Sequence, residues 1–449
     1  MKLKLKELFT LFNKKSNAAD LSITGITADS RSVKKGNIFF ALIADNDGHK
    51  YAADAIKAGA IAAVVQKEIP GVDDEKLVKV TDTKDALLKL AAYYFKKFKK
   101  LKVAAVTGSN GKTTTKELLA AILRARYRVH KSEKSFNNYL GLPLTIFGLD
   151  SGHEILVLEI GMNHSGEIKK LVSAVKLDAA VITNIGRAHI GNFDGKEAGI
   201  AKAKAEIMEG VKKGGAIILN NEDRFYKFLR KKAAAKKLKA LAFGTGCKAD
   251  TRIEKYALTG RGSEFKVRGI SGNIKMKLKG LHNIYNAAAA ITAAKFFGIS
   301  GANIKKALSK FEMEGFMRFE EVKLKNGITV INDCYNANPD SFAASIETLK
   351  KAGYRDLVVL MGEMLELGPF AAALHEEVGA MFAGLDIKKF FIYGGNSTNV
   401  ERGYKKTAQT YDDREKLKAD LRSFVKPGDT VFVKGSRGNK LEEIISSLG

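Results

Sequence analysis

Short apolar runs, separated by glycine-containing or polar turns, recur along the whole chain. In the first hundred residues, the runs at 37–42 and 61–66 predict strands, and the segment 53–59 between them predicts a helix that stops at a glycine. A strongly basic helix is predicted over residues 84–100. The chain therefore begins with a small α/β unit and a helical connection to the part that follows.

The same alternation continues on a larger scale after residue 100. An apolar run at 101–106 leads into a glycine-containing loop, and the pattern after that loop predicts a helix over 116–126. Further strands are predicted by apolar runs at 155–160, 179–185 and 216–220. Strands that alternate with helical stretches favour a mostly parallel sheet with helices on both faces.

The last third of the chain repeats this pattern on a smaller scale. Its strands are predicted at residues 327–332, 356–361, 389–393 and 429–434. We therefore expect an α/β protein of three domains, which span residues 1–100, 101–312 and 313–449.

The composition is that of an ordinary globular protein. Hydrophobic residues make up 45% of the 449 residues and charged residues 28%, which excludes collagen-like, disulfide-rich and fully disordered classes. No apolar run reaches about 18 residues, so no transmembrane segment is expected, and residues 1–15 lack the features of a signal peptide. The two cysteines, Cys247 and Cys334, fit a reducing compartment. We expect a cytoplasmic protein.

The chain is strongly basic. Its 76 Lys and Arg residues exceed its 49 Asp and Glu residues and give a net charge of +27, which favours contact with nucleic acid, an anionic membrane or a phosphorylated small molecule. The excess lies in short clusters, such as 96–100 and 230–232, with few aromatic residues near them. That distribution is typical of solvated helix faces, and no nucleic-acid partner is expected.

The segment 107–115, TGSNGKTTT, carries the clearest chemistry. It follows a predicted strand and precedes a predicted helix, the context in which a glycine-rich loop cradles phosphates. Gly108 and Gly111 would allow close approach, Lys112 would carry the positive charge, and Thr113 would hold a metal ion. The loop is shorter than the usual pattern, because Val106 stands where the first glycine should be.

This loop is similar to the T-G-[ST]-N-G-K-[ST]-[ST] loop of the Mur ligases, ATP-dependent amide-forming enzymes of cell-wall precursor synthesis. The resemblance implies a central domain like that of P-loop ATPases and a Rossmann-like C-terminal domain. It implies ATP and Mg²⁺, expected as two ions, as cofactors. ATP contacts would come from the whole loop, namely Gly108, Ser109, Asn110, Gly111, Lys112, Thr113 and Thr114.

Two strand ends offer candidate metal ligands. Glu159 ends an apolar strand, where a carboxylate beside a phosphate loop can bind Mg²⁺. His189 follows another apolar strand, and a histidine there can equally be structural. The resemblance implies a metal-associated role for both, and a catalytic role for His189 and Lys112. Family members similar to this chain usually have Leu-Glu after the histidine, whereas this chain has Ile190 and Gly191.

Lys204 lies within a helix predicted over 197–210. Ile200, Ile207 and Met208 share its face, so the lysine falls on the apolar stripe. A desolvated lysine has a lowered pKa and is more often a neutral nucleophile. The alternative is a lysine whose charged end reaches solvent. The resemblance implies a carbamylated lysine here, with a catalytic and metal-binding role.

Further motifs match the family. Asn283 and Asn286 resemble its H-N-x-x-N motif for the adenine region, with helix capping by Asn283 as the alternative. Arg318 stands where the family has an arginine that joins ATP to the C-terminal domain, and Asp333 is expected at the ATP site. The run 335–339, YNANP, is similar to that of the members that add D-alanyl-D-alanine. It implies substrate-binding roles for Tyr335, Asn336 and Asn338.

Two other segments resemble substrate-binding motifs. Near the N-terminus, the resemblance implies a uridine-nucleotide site formed by four residues, Ser30, Arg31, Asp47 and His49. In the central part, Asn137 and Asn138 lie in a segment like the family's substrate loop. The likeness thus spans all three expected domains.

The resemblance implies that UDP-N-acetylmuramoyl-tripeptide and D-alanyl-D-alanine are joined through an acyl phosphate, by a chain expected to be a monomer. Three alternatives remain. A folylpolyglutamate- or cyanophycin-type ligase would share the phosphate loop but lack the YNANP run. A nucleic-acid-binding NTPase would account for the charge of +27. An inactive homologue would account for the departures at Ala44-Asp45, Gly191 and Asn439-Lys440.

Overall fold

The computed structural model of the protein describes residues 3–14, 20–259, 262–313 and 315–448. Within them the strands form three sheets, of four, nine and six strands. The sheets follow one another along the chain, and each lies within one of the three expected domains. The exact boundaries between those domains stay a prediction.

The first sheet is wholly parallel, in the order β1-β2-β3-β4. Its strands are β1 (Gly25–Thr27), β2 (Asn37–Phe40), β3 (Ala62–Val65) and β4 (Leu77–Lys79), and its helices are α1 (Leu5–Leu11), α2 (Ala52–Lys57) and α3 (Thr83–Phe95). The two strands and the short helix predicted here are confirmed. The basic helix is also present, but it ends at Phe95, and residues 96–100 form turns that lead into the next strand.

The nine-stranded sheet has the order β13-β12-β11-β10-β9-β8-β5-β7-β6. Its strands are β5 (Lys102–Thr107), β6 (Val129–Lys131), β7 (Ile155–Glu159), β8 (Leu177–Ile182), β9 (Val211–Asn220), β10 (Lys239–Gly244), β11 (Thr251–Thr259), β12 (Gly262–Val267) and β13 (Ile274–Met276). The pairs β11/β12 and β12/β13 are antiparallel, whereas the pairs from β6 to β11 are parallel. The mostly parallel sheet predicted for this region is confirmed.

Helices cover both faces of this sheet. They are α4 (Lys112–Leu123), α5 (Gly141–Phe147), α6 (Glu167–Val172), α7 (Glu197–Ala205), α8 (Tyr226–Ala235), α9 (Leu281–Phe296) and α10 (Gly301–Ser309). The predicted start of α4 at residue 116 is wrong: the helix begins at Lys112, directly after the loop. The reason is Gly111, whose φ of 78° lets the chain turn into the helix at that point. The helix predicted over 197–210 divides into α7 and a 3₁₀ turn, Glu206–Gly210.

The six-stranded sheet has the order β14-β15-β19-β16-β17-β18, and only its edge pair β14/β15 is antiparallel. The strands are β14 (Glu320–Lys323), β15 (Thr329–Asp333), β16 (Leu357–Gly362), β17 (Ile387–Tyr393), β18 (Gln409–Tyr411) and β19 (Thr430–Lys434). The helices are α11 (Pro339–Lys351), α12 (Ala371–Phe382), α13 (Ser397–Tyr404), α14 (Arg414–Phe424) and α15 (Leu441–Ile445). All four strands predicted here are confirmed.

The strands beside the phosphate loop form the centre of the molecule. Every residue of β7, and every residue of β5 after Lys102, is buried, as expected for strands covered on both faces. Parallel strands place their carboxyl ends at one edge, so the segments after β5, β7 and β8 meet there. Among the described helices, none combines the length and the apolar character needed to cross a bilayer.

Candidate active site

The loop between β5 and α4 approaches its neighbours so closely that its two glycines are required. A Cβ added to Gly108, whose φ is 149°, would collide with the Thr183 hydroxyl, and one added to Gly111 would collide with the Asn286 amide. The loop is also tied to the segment after β8. The backbone nitrogen of Asn110 donates to Asn184 Oδ1 at 3.0 Å. The backbone of the loop is therefore held in place by side chains on both sides.

Lys112 begins α4 and folds back over the loop. Its Nζ donates to the carbonyl oxygens of Gly108 at 2.9 Å and Ser109 at 3.3 Å. Burial lowers the pKa of Lys112, and the nearby carboxylate of Glu159 opposes that shift. The ammonium group lies where the loop and the end of β7 converge, as a phosphate-binding lysine should.

Glu159 ends β7 and is buried. Its Oε1 accepts a hydrogen bond from Asn137 Nδ2 at 2.8 Å, whereas its Oε2 has no hydrogen-bond partner in the described part of the chain. The nearest cation to Oε2 is the ammonium of Lys116, at 3.8 Å. Lys116 is fully buried, and its Nζ also donates to the Ser132 carbonyl at 2.8 Å. Lys116 was not predicted as a site residue, although it lies one helical turn after Lys112.

His189 and Lys204 occupy different environments. His189 has a left-handed backbone, and its Nδ1 lies 2.6 Å from Glu366 Oε2, which belongs to the six-stranded part. That contact lowers the pKa of Glu366. Lys204 is 1% exposed in α7, which confirms that it lies on the buried face. Burial, reinforced by the charge of Lys112, holds the pKa of Lys204 well below its usual range.

The two asparagines of α9 share a face, as predicted. Asn286 Nδ2 donates to Asn283 Oδ1 at 3.1 Å, and both residues are buried. Thr115 of α4 donates to Asn286 Oδ1 at 3.3 Å. The alternative of helix capping by Asn283 is wrong, because Gly280 is the residue that precedes the first turn. Asn283 and Asn286 instead present amide groups beside the phosphate loop.

Arg318 reaches from the linker before β14 to the phosphate loop. Its Nη2 donates to Thr113 Oγ1 at 2.9 Å, and its guanidinium lies 4.2 Å from the centre of the Tyr335 ring. The flanking residues Met317 and Phe319 have φ values of 52° and 55°, a left-handed conformation that non-glycine residues rarely adopt. Arg318 Nε is buried without a hydrogen-bond partner among the described residues.

Asp333 is held by the six-stranded part itself. Its Oδ2 accepts from Lys434 Nζ and from Ser345 Oγ, both at 2.6 Å, and its Oδ1 accepts from the Phe319 amide at 3.1 Å. Lys434, which was not predicted as a site residue, is buried with it. The hydroxyl groups of Tyr335 and Ser135 form a hydrogen bond between the six-stranded and nine-stranded parts.

The predicted N-terminal site residues have local partners. Arg31 pairs with Asp29 at 2.9 Å, next to Ser30 in a short 3₁₀ turn. His49 is buried, and its Nδ1 lies 2.5 Å from Asp47 Oδ1. Its Nε2 accepts a hydrogen bond from the backbone nitrogen of Gln66 at 2.8 Å. Hydrogen bonds from the His49 backbone and from Lys67 hold the pKa of Asp47 far below its usual range. These contacts order the turns that follow β1 and β2.

A single cleft of about 770 Å³ opens where the nine-stranded and six-stranded parts meet. Most of the predicted site residues line it: Ser109, Asn110, Gly111, Lys112, Thr114, Asn137, Asn138, Glu159, His189, Asn283, Asn286, Arg318, Asp333, Tyr335 and Asn336. Gly108, Thr113 and Asn338 are not part of this lining, but each of them forms a hydrogen bond with a residue that is. Lys204 lies within α7. The four N-terminal residues, Ser30, Arg31, Asp47 and His49, do not line the cleft.

Comparison with known proteins agrees with this architecture. Residues 106–294 match the Mur ligase middle domain, and residues 317–437 match the Mur ligase glutamate ligase domain. The UDP-N-acetylmuramoyl-tripeptide–D-alanyl-D-alanine ligase of Bacillus subtilis is 36% identical over 95% of this chain and 93% of its own length.

Solved structures agree as well. A crystal structure of MurF from Acinetobacter baumannii superposes with a TM-score of 0.90 at 29% identity, covering 100% of this chain and 99% of the other. The MurF ligase from Thermotoga maritima, solved in complex with ADP, gives a TM-score of 0.83 at 28% identity, covering 96% of this chain and 98% of the other.

Proposed function

The chain belongs to the Mur ligase family, and from this premise we propose that it joins D-alanyl-D-alanine to UDP-N-acetylmuramoyl-tripeptide. The observation that carries the proposal is the single cleft in which the Lys112 loop faces Arg318 and Tyr335. One wall is built to hold the phosphates of a nucleotide, and the other belongs to the part that carries the YNANP run. A reaction between a phosphorylated donor and an acceptor needs both walls.

ATP would lie along the first wall. The backbone amides of the loop and the start of α4 offer donors to the phosphates, and Lys112 adds the charge. Asn283 and Asn286 offer amides for the nucleoside beyond the loop. Arg318 Nε, a buried donor that finds no acceptor among the residues the structure describes, would complete its hydrogen bonding on a phosphate oxygen. The chain's positive charge would attract both anionic substrates.

The reaction then follows in two steps. The terminal carboxylate of the tripeptide attacks the γ-phosphorus of ATP, forming an acyl phosphate and releasing ADP. The amine of D-alanyl-D-alanine next attacks the acyl carbon, forming the amide and releasing phosphate and a proton. The protein's contribution is to hold the two reactants in line, to offset negative charge and to exclude water.

The residues at the end of β7 fit a magnesium ion that is shared with ATP. No three His, Cys, Asp or Glu side chains in the described part of the chain converge to hold a metal by themselves. Glu159 nevertheless offers a buried carboxylate oxygen that accepts no hydrogen bond from the described residues, and Thr113 offers a hydroxyl that also accepts from Arg318. Mg²⁺ commonly takes one or two protein oxygens and completes its shell with phosphate oxygens and water. When bound, it would neutralise charge on the phosphates, and His189 lines the same cleft.

Lys204 is suited to carbamylation. Its buried amine, with a lowered pKa, is neutral more often than an exposed lysine. The neutral Nζ can attack the carbon of CO₂, forming an N–C bond and releasing one proton. Carbon-13 NMR after incubation with labelled bicarbonate tests this: a carbamate signal is expected in the wild-type protein and should be absent from Lys204→Ala.

The uridine nucleotide of the donor is assigned to the first sheet, where Asp47 and His49 order the loop after β2. Because their side chains already have partners, their contribution would be to shape the loop. The exposed Arg31 and the partly exposed Ser30 would instead reach a ligand from the surface, Arg31 by exchanging its contact with Asp29. Substituting Arg31 should raise the KM of the tripeptide substrate and leave the KM of ATP unchanged.

The decisive experiment measures phosphate release from ATP with the tripeptide nucleotide, with and without D-alanyl-D-alanine. Mg²⁺ and bicarbonate are supplied throughout. Release that needs both substrates, with a product heavier by the dipeptide, is expected. Release with neither substrate would point to a simple NTPase, and absence of release under these conditions would contradict the proposal.

A further inference from the structure

Arg187 connects the segment after β8 with two helices of the six-stranded part. Its Nε donates to Asp340 Oδ1 at 3.0 Å, and its Nη1 donates to Glu377 Oε2 at 2.7 Å. Asp340 lies in the first turn of α11, and Glu377 lies in α12. One side chain of the nine-stranded part therefore holds two helices of its neighbour through charge-assisted hydrogen bonds.

The backbone strengthens this connection. The Arg187 amide nitrogen itself donates to Asp340 Oδ2 at 2.6 Å. The preceding residue is Gly186, and a Cβ at that position would collide with the same oxygen. The Asp340 carboxylate is thus seated against the loop, with one oxygen on the backbone and the other on the guanidinium. The arginine side chain is only 20% exposed, so solvent screens these bonds less than it screens a surface pair.

The loop that carries Arg187 also holds the phosphate loop. Thr183 Oγ1 donates to the Asn110 carbonyl at 2.6 Å, and Ser109 Oγ donates to the Gly186 carbonyl at 3.0 Å. Asp340 follows two residues after Asn338, which lies against Asn110 from the other side of the cleft. A displacement at Arg187 would therefore change the distance between the two walls where the reactants meet.

We propose that Arg187 is a positioning residue, which fixes the six-stranded part against the phosphate loop in the arrangement needed for ligation. The kinetic part of this inference rests on the function proposed above. Arginine suits this geometry better than lysine, because the planar guanidinium reaches two carboxylates with separate nitrogens, whereas lysine offers a single ammonium. Without a cation at this place, Asp340 and Glu377 would face each other as like charges.

The variants that test this inference are Arg187→Gln, Arg187→Lys and Glu377→Gln. Glu377 is the better probe of the acidic side, because Asp340 also lies at the start of α11 and its replacement would alter that helix. Glu376→Gln is the matched control. Glu376 is the neighbouring residue on the same helix, but it pairs with Arg402, 3.2 Å away within the six-stranded part.

Two measurements are made on each full-length variant. Small-angle scattering without substrates reports whether the six-stranded part stays docked, and steady-state kinetics report kcat and KM. We expect Arg187→Gln and Glu377→Gln to increase the radius of gyration and to lower kcat/KM about tenfold or more, as for loss of a charge-assisted hydrogen bond. Arg187→Lys should recover part of the loss, and Glu376→Gln should match the wild type.

The inference is overturned if the radius of gyration, kcat and KM stay at wild-type values in both Arg187→Gln and Glu377→Gln. A fall in the melting temperature alone also overturns it. If Arg187→Gln does not fold, Glu377→Gln decides, because its side chain is 41% exposed. Failure of the proposed function is distinguishable: the wild type would then release no phosphate, while the scattering comparison, which needs no substrate, would still test Arg187.

Discussion

The side-chain amides of Asn110 and Asn338 face each other across the cleft, although the two residues are 228 positions apart in the chain. Asn338 Nδ2 donates to Asn110 Oδ1 at 2.8 Å, and Asn110 Nδ2 donates to Asn338 Oδ1 at 3.3 Å. The same Asn338 oxygen caps α11 by accepting from the Ser341 amide at 2.9 Å. One residue thus both begins a helix and contacts the phosphate loop.

These two roles of Asn338 can be separated by substitution. Serine caps helices nearly as well as asparagine, but it is too short to reach Asn110. Asn338→Ser should therefore keep the melting temperature near the wild-type value and lower kcat/KM for ATP about tenfold, the effect of losing both hydrogen bonds with Asn110. Asn338→Ala should show the same kinetic loss and destabilise the protein by about 1 kcal/mol more. Equal melting temperatures for both variants would contradict the capping role.

Lys116 is expected to be important for stability. Its ammonium is fully buried beside Glu117, at 3.0 Å, and Glu159, at 3.8 Å. Lys116→Met should destabilise the protein by about 3 kcal/mol or more, because it leaves the buried Glu159 carboxylate without its nearby cation and Glu117 with Lys131 alone. Urea unfolding, followed by circular dichroism, measures this. Lys131→Met is the control, since Lys131 contacts Glu117 from a partly exposed position, and its effect should be clearly smaller.

His282 should make stability depend on pH. Burial lowers its pKa to about 4, from an ordinary value of 6.5. Because the charged form is disfavoured in the folded state, this contribution is fully present above pH 6.5 and is lost as the pH falls towards 4; it amounts to about 3 kcal/mol. His282→Gln should reduce the fall in melting temperature between pH 7 and pH 4.5. His164→Gln, at an exposed position, should leave the pH profile of the wild type unchanged.

Gly191, where the sequence departs from the family pattern, has a packing role. A Cβ at this position would lie 2.6 Å from the Gly368 nitrogen and 2.7 Å from the Leu367 carbonyl carbon. Gly191→Ala should therefore separate the segment after His189 from the six-stranded part and lower kcat/KM. Gly395→Ala is the control, because the nearest atom to an added Cβ there is a side-chain oxygen 3.9 Å away. Wild-type kinetics for Gly191→Ala would show that this close packing is dispensable.

Much of the fold was predictable because the buried parallel strands are continuous apolar runs. β5, β7, β16 and β19 all lie where such runs predicted them. The antiparallel strands β11–β13 were not predicted, since their exposed face interrupts the apolar pattern: in β11, four consecutive residues from Glu254 are exposed. The start of α4 was misplaced because a glycine, rather than a usual capping side chain, precedes it.

The site residues were likewise predicted only in part. Residues of the phosphate loop and the ends of β7 and β8 were found because strand order and local motif fix their positions. Lys116, Arg187 and Lys434 were missed, since a lysine or arginine that is buried by distant parts of the chain has the same local pattern as one on a solvated helix. The partners of Arg187 and Lys434 lie more than 100 residues away, at Asp340 and Asp333, and Lys116 reaches Glu159 from 43 residues away.

The left-handed backbone on both sides of Arg318 affects the stability of the arrangement in which the six-stranded part is docked on the nine-stranded part. A left-handed conformation costs a non-glycine residue roughly 1–2 kcal/mol, and Met317 and Phe319 both adopt it. Any arrangement that returned the two residues to negative φ would remove that cost. The docked arrangement therefore carries this backbone cost. The bonds that Arg318 and Asn338 make across the cleft must outweigh that cost.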